Sequence, residues 1–371
     1  MTRPSTRPSV NKPSADKPSA DKPGLDNPVV AETARPGIRP LTWLPAFVGF
    51  YRPDGNSLRE LDPVARFLYA ARSVILVISA QSAAIAGLLA ITDRNFGLLD
   101  FVLLLLGLVV AHAISNLSND YFGYKRGHDT VESPRMNYTL HPVASGALTT
   151  RQLATGIGVL GVLGLAVCVY FAVTVGAGAI AFAVVGALLL WGYDAAPITL
   201  KGIGLGEIAS FVVWGPLMIG GGYYVITGHW SGEVLLASVP YGLGVMSILL
   251  GKHIDQRPFD TGAGQHTLPV LMGERPARRL DQLIVVGMYA TVLVAILLGW
   301  LTPFALLVLV AAPRALRAVR ALTVPHPDEK PEGYVGWPLW FHRSCLVHNR
   351  LFGWTYLAGL ALGAIFPDFR L

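Results

Sequence analysis

Charge is scarce in this chain, and cysteine nearly absent. Only 14% of the 371 residues are Asp, Glu, Lys or Arg, against about 25% in soluble domains, and the mean hydropathy is +0.50. That shortage excludes an ordinary water-soluble globule. Two cysteines, Cys168 and Cys345, fall in or beside different apolar segments and match no disulfide or metal spacing, so both read as packing residues. The formal charge of +6 does not point to nucleic acid, because Lys and Arg gathered on one side of a membrane produce the same excess.

What the chain has instead is apolar length. Stretches near the ~20 residues needed to cross hydrocarbon lie at about 68–91, 98–118, 152–174, 176–193, 206–227, 233–252, 282–301, 303–322 and 351–366. The expected fold is an all-α polytopic membrane protein with nine transmembrane helices. With a cytoplasmic N-terminus, the positive-inside rule keeps all but Arg94 and Arg370 of the 29 basic residues on the cytoplasmic side of an inner (plasma) membrane.

Residues 1–40 repeat RPS, KPSAD and KPG. Such a polar, proline-rich stretch cannot bury enough apolar surface to offset its ordering entropy, which predicts a disordered cytoplasmic tail. No apolar core follows Met1 closely enough for a cleaved signal peptide. Between 41 and 67, Trp43, Leu44, Phe47, Val48, Phe50 and Tyr51 precede charged residues, the pattern of an interfacial segment or of a helix gating substrate.

The body, 68–366, carries a coarse repeat. A polar loop follows the second expected span and another follows the sixth, so two four-helix pseudo-repeats plus one helix around a central cavity would bring the two loops together. On the second span, His112, Asn116 and Asp120 recur at i, i+4 and i+8 and share one face, with Asn119 beside them. Polar groups on an otherwise apolar helix belong in the bundle interior. Lys125, Arg126, Asp129 and Arg135 follow, acids suited to a metal and bases suited to phosphate.

The second loop holds Lys252, His253, Asp255, Arg257 and Asp260. On an unbroken helix Asp255 and Asp260 diverge by roughly 140°. Pro258 between them predicts a break that lets both carboxylates reach one cation. Magnesium fits oxygen ligands supplemented by substrate phosphates; His253 alone is a thin basis for a transition metal. A third patch, Tyr193, Asp194, Pro197 and Lys201 before Gly202, Gly204, Gly206 and Glu207, offers Lys201 either as a phosphate contact or as a cytoplasmic helix end. Its glycines follow no strand and are no dinucleotide fingerprint.

These residues resemble a known family. Asn116-Leu-Ser-Asn-Asp-Tyr-Phe with Lys-Arg-Gly-His-Asp129 resembles the first aspartate motif of the UbiA superfamily of intramembrane prenyltransferases. Tyr193-Asp-Ala-Ala-Pro-Ile-Thr-Leu-Lys201 with Gly204-Leu-Gly-Glu207 is similar to its YSxxPxxLK…GxGE segment. His253-Ile-Asp255…Asp260-Thr-Gly-Ala-Gly-Gln-His-Thr-Leu-Pro-Val resembles its second motif, DxxxD…GxxTLxV. The likeness covers roughly 68–366. Gly215-Pro-Leu-Met and Gly221-Gly-Tyr-Tyr-Val-Ile-Thr-Gly228 look most like the branch that prenylates dihydroxynaphthoate toward menaquinone.

The resemblance implies nine helices around a lipid-accessible cavity, Mg2+ and a polyprenyl diphosphate held by the acidic motifs, and an aromatic small-molecule acceptor. It implies catalytic and metal-binding roles for Asn119, Asp120, Asp255 and Asp260, with Asp129 as a further metal ligand. Diphosphate-binding candidates are Asn116, Lys125, Arg126, Arg135, Tyr193, Lys201, Lys252 and Arg257. Two departures stand out. Gly123 occupies the place of the second Asp of NDxxD, and the acids of the second motif are five apart rather than four, so either Asp255 or Gln256 aligns with the first.

Other readings differ in where they put the acids or what becomes of the prenyl cation. A UbiA-type terpene cyclase or a specialised-metabolite prenyltransferase would use the same site, and the altered Gly123 position favours such a variant. A cation-coupled transporter would place acids near mid-membrane. A non-catalytic lipid-binding relative would have lost a metal ligand.

Overall fold

The computed structural model describes residues 37–48, 55–195, 197, 199–334 and 336–369. Residues 1–36 of the expected tail, and Phe50 and Tyr51 of the expected interfacial segment, lie outside the described residues. Every regular element among the described residues is helical. Three short helices come first: α1 (Trp43–Val48), α2 (Gly55–Glu60) and α3 (Pro63–Ala70). The body holds α4 (Val77–Thr92), α5 (Leu98–Lys125), α6 (Thr150–Thr174), α7 (Ala177–Asp194), α8 (Gly206–Val212), a π-helix (Val213–Gly220), α9 (Gly221–Thr227) and α10 (Gly232–Gly262). It ends with α11 (Leu268–Met272), α12 (Glu274–Leu297), a 3-10 helix (Pro303–Ala311), α13 (Ala312–Ala321) and α14 (Phe341–Ile365).

Local chemistry sets several starts. Asp62 caps α3 by accepting Val64 N at 2.8 Å and Ala65 N at 3.0 Å, ahead of Pro63 at the first helical position. Thr149 and Gln152 form a reciprocal capping box on α6, and Ser231 caps α10. Gly228, at φ 80°, reverses the chain after α9 in a conformation that a side chain would strain.

Among the described residues, seven helical rods are long and apolar enough to cross a membrane: Ser73–Thr92, α5, α6, α7, the continuous rod Gly206–Thr227, α10 and α12. The expected nine is therefore not reached among the described residues. The other two expected spans are helical but polar or irregular. One is 3-10 helix before α13, which carries Arg314, Arg317 and Arg320. The other, α14, starts at Phe341 and takes His342, Arg343, His348, Asn349 and Arg350 into its first turns.

A second expectation fails at Pro258. α10 runs unbroken through both Pro240 and Pro258. A helix-interior proline costs about 3 kcal/mol in isolation, but α10 is packed against α8, the π-helix, α12 and α14. Tertiary packing outweighs the local penalty. Burial divides the helices unevenly: 67% of the apolar stretch of α10 is buried and only 6% of that of α7, so α7 offers its surface to lipid while α10 forms the interior.

Segments α1 to α3 pack on the loop after α5. Ala46, Leu58, Leu61 and Ala65 share a small core with Ala147, while Arg59 and Arg66 donate to the carbonyls of Ser145 and Ala147. Asp62 also accepts the Trp43 indole at 2.9 Å, Thr42 Oγ1 at 3.0 Å and Arg39 N at 3.1 Å. Burial alone would raise the pKa of that carboxyl; the donors outweigh it and hold it below its ordinary value.

Candidate active site

One cavity of about 950 Å3 runs between α5, α6, α7, the π-helix and α10. Its interior is apolar, walled by Leu104, Leu108, Phe171, Phe182, Leu190 and Met218. Its mouth is polar, because α5 and α10 continue past their apolar stretches and carry both sequence motifs to the same opening. The loops that follow the second and sixth expected spans are thus brought together.

On α5, Asn116 and Asn119 line the cavity. Asn116 Nδ2 donates to Ala71 O at 2.9 Å. Asn119 Nδ2 donates to Asp194 Oδ2, linking the first motif to the end of α7. Asp120 lies behind the wall, fully buried, its carboxylate closed by Arg72 and by the two terminal guanidinium nitrogens of Arg135. The bidentate pair fixes Arg135 geometrically as well as electrostatically. Burial would lower the Arg135 pKa, but the Asp120 carboxylate outweighs it and raises the guanidinium above its ordinary value, keeping it charged at the mouth.

Gly123 lines the cavity one turn on, where the family pattern has a second Asp. A Cβ built there would collide with Asp129 Oδ2. The loop thus returns a carboxylate to the space a side chain at 123 would use. Asp129 Oδ2 also lies 3.6 Å from His141 Nε2. Beside it, His128 accepts from Gln265 Nε2 at 2.9 Å, tying the first loop to the second. Burial and then Lys201 push the His128 pKa below its ordinary value, so the ring is neutral at pH 7.

The unbroken α10 decides the second motif. Gln256 and Asp260, four apart, both line the cavity. Gln256 Nε2 donates to the Tyr138 hydroxyl at 2.9 Å, and Asp260 Oδ2 accepts from Thr267 at 3.3 Å. Asp255 points elsewhere: its two oxygens accept the backbone N–H groups of Phe341 and His342, each at 2.9 Å, capping α14. Asp255 and Asp260 therefore do not converge, and the expected shared cation between them finds no support in this geometry.

Tyr193, Lys201, Lys252, Arg126 and Arg135 also line the cavity. Two phosphate candidates do not: Lys125 is exposed with its ammonium 5.6 Å from the Tyr121 ring centre, and Arg257 Nε donates to Pro269 O at 3.2 Å. Arg72, Asp194 and Tyr138 line the cavity without a role in the sequence reading. Arg72 sits at the helix entry with φ 54°, a left-handed non-glycine residue that only its contacts reveal.

Among the described residues, no three His, Cys, Asp or Glu side chains gather into a ready metal site. The cavity donors are instead oxygens of Asn119, Asp129, Asp194, Gln256 and Asp260. That set suits a hard cation whose remaining ligands come from water and substrate phosphate, as magnesium takes them.

The profile of the UbiA prenyltransferase family matches residues 81–346. The 1,4-dihydroxy-2-naphthoate octaprenyltransferase of Bacillus subtilis is 24% identical over 71% of this chain and 82% of its own length. The Mycobacterium tuberculosis enzyme of that name is 33% identical over 58% of this chain and 72% of its own length. Among solved structures, a UbiA homolog from Archaeoglobus fulgidus bound to GPP and Mg2+ shares the fold with a TM-score of 0.56, at 16% identity over 80% of this chain and 99% of that one. With its multi-pass helical body and three ordered motifs, the chain belongs to the UbiA prenyltransferase family and is a membrane prenyltransferase.

Proposed function

We propose that this prenyltransferase moves the prenyl group of a polyprenyl diphosphate onto an aromatic acceptor of the dihydroxynaphthoate type, using Mg2+, at the cytoplasmic face of an inner (plasma) membrane. The observation that carries the reading is the division of one cavity into a charged mouth and a long apolar interior. Relatives named as naphthoate octaprenyltransferases support the acceptor class, and the structural neighbour with GPP and Mg2+ supports the donor and the metal.

In this reading the diphosphate lies at the mouth against Lys201, Lys252, Arg126 and Arg135, and the prenyl tail runs inward past Leu104, Phe171 and Leu190. Asn119, Asp129, Asp194, Gln256 and Asp260 would hold Mg2+, which would neutralise negative charge on the diphosphate. The C1–O bond to diphosphate breaks with allylic cation character. The bases stabilise the charge that grows on the departing oxygens, because the fold holds them in place before that charge develops. Apolar walls keep water from the carbon. An acceptor ring carbon then forms the new C–C bond to C1, and the ring regains its aromaticity as that carbon sheds the substituent it carried, a proton to solvent or a carboxylate as CO2.

The test uses the purified protein in lipid nanodiscs with Mg2+, labelled prenyl diphosphate and 1,4-dihydroxy-2-naphthoate. Pyrophosphate and a prenylated aromatic product are expected, both abolished by EDTA. No pyrophosphate with any chain length or acceptor overturns the enzyme reading. Pyrophosphate with a cyclised hydrocarbon, formed without acceptor, replaces it with a terpene cyclase.

A further inference from the structure

Deep in the apolar part of the cavity sits one polar construction that the diphosphate chemistry does not use. Three elements build it: Ser79 on α4, His112 on α5 and Trp214 on the π-helix. The Trp214 indole nitrogen donates to Ser79 Oγ at 3.1 Å, and Ser79 Oγ lies 2.8 Å from His112 Nδ1. The two rings meet edge to face, centres 5.2 Å apart at 78°. His112 and Trp214 both line the cavity; Ser79 is wholly buried behind them.

Hydrogen-bond roles follow from the inventory of donors. An indole nitrogen only donates, so Ser79 Oγ accepts from Trp214 and keeps its own hydrogen to give. Among the described residues its partner is His112 Nδ1. Nδ1 then accepts, and the neutral ring carries its proton on Nε2. Among the described residues Nε2 has no protein partner, so the fold fixes an N–H donor at an apolar cavity wall.

Trp214 is doubly fixed, since its carbonyl also accepts Ser82 Oγ at 3.1 Å. It occupies an eight-residue π-helix containing Pro216, a widened turn of the sort that recurs at functional sites.

Resting on the aromatic-acceptor reading above, we propose that His112 is a specificity residue whose Nε2–H donates to an oxygen of the aromatic acceptor, with Trp214 as the adjoining wall. A prenyl tail is hydrocarbon and offers no acceptor atom, whereas a buried donor is costly to leave unpaired. His112 and Asn119 are seven residues apart on one helix, a rise of roughly 10 Å, most of which a bicyclic ring with its substituents bridges. Ser115, between them, also lines the cavity. The acceptor therefore lies along α5, with its reacting edge toward the motif and an oxygen at His112. Ser79 is a positioning residue that sets the tautomer.

The test separates binding from turnover. Equilibrium dialysis measures 1,4-dihydroxy-2-naphthoate, and as a control 2-methylnaphthalene, on the protein without prenyl diphosphate; steady-state assays then give both KM values. His112→Phe is expected to weaken naphthoate binding and raise its KM at least tenfold, with 2-methylnaphthalene and the prenyl diphosphate KM unchanged within twofold. His112→Gln, whose amide N–H replaces Nε2–H, restores most of the loss and guards against misfolding of the Phe variant. Ser79→Ala raises the acceptor KM several-fold in the wild-type background and adds nothing to His112→Phe. Unchanged naphthoate binding in His112→Phe, or a change confined to the prenyl diphosphate KM or product chain length, overturns the proposal. Intact binding that responds to His112 in a protein without turnover supports this site while defeating the prenyl-transfer reading.

Discussion

The C-terminal ends of α5 and α10 solve one problem in two ways. Each offers a neighbouring amide and acid, Asn119 with Asp120 and Gln256 with Asp255, and in each pair the amide lines the cavity while the acid is consumed by the fold. The difference lies in what consumes it. Asp120 pairs with two arginines and so fixes their position at the mouth, where one positive charge stays in excess; Asp255 takes two backbone amides and so starts a helix. The cavity acids then come from further along: Asp129 from a loop that folds back over Gly123, and Asp260 from the next turn of an unbroken helix. Aspartates in a sequence motif are therefore not equivalent, since their direction around the helix decides whether they meet substrate or scaffold.

The strongest way to break this comparison is to remove the cavity acid of α10. Asp260→Ala should lower kcat at least a hundredfold in a pyrophosphate-release assay while the protein stays folded by size exclusion; near-normal activity would move the site away from α10. Asp120→Ala comes next. It leaves the buried Arg135 without its carboxylate and Arg72 without its partner, so thermal unfolding in micelles should reveal a loss of about 3 kcal/mol, far beyond that of Asp260→Ala. Equal stabilities would undo the division between scaffold and cavity acids.

Asp255→Ala is expected to cost about 1–2 kcal/mol, the worth of a helix cap, without moving the Mg2+ concentration for half-maximal activity. A shift in that concentration would return Asp255 to the metal. The smallest effect sharpens the α5 side. Asp129→Ala should raise the Mg2+ requirement several-fold, and adding Gly123→Asp in that background should recover part of it, because the new carboxylate enters the space Asp129 vacates. No recovery would mean that Asp129 does not stand in for the missing acid.

Much of this was legible in advance. Apolar length located every long helix, and the motif resemblance located the mouth of the cavity. The failures have physical causes. Nine expected spans are not confirmed: seven helices among the described residues are long and apolar enough, while α13 carries Arg314, Arg317 and Arg320 and α14 begins with Arg343, His348, Asn349 and Arg350, polar groups that lie outside or at the edge of the apolar runs. Pro258 predicted a break that packing on α8, α12 and α14 overrode. Arg72 escaped notice because a single arginine at a helix entry carries no periodic signal, and Asp194 was named in the third patch without a role because its partnership with Asn119 joins residues on different helices.

By itself the sequence determined the solvent of the fold, the order of its helices and the residue types gathered at their ends, because hydrophobicity and i, i+4 spacing are local properties of a chain. Only the tertiary structure decided which polar groups face the cavity. That choice depends on helix rotation, fixed here by contacts between distant segments: α14 docking its first amides on Asp255, Arg72 and Arg135 closing on Asp120, and Trp214 reaching across to Ser79 and His112.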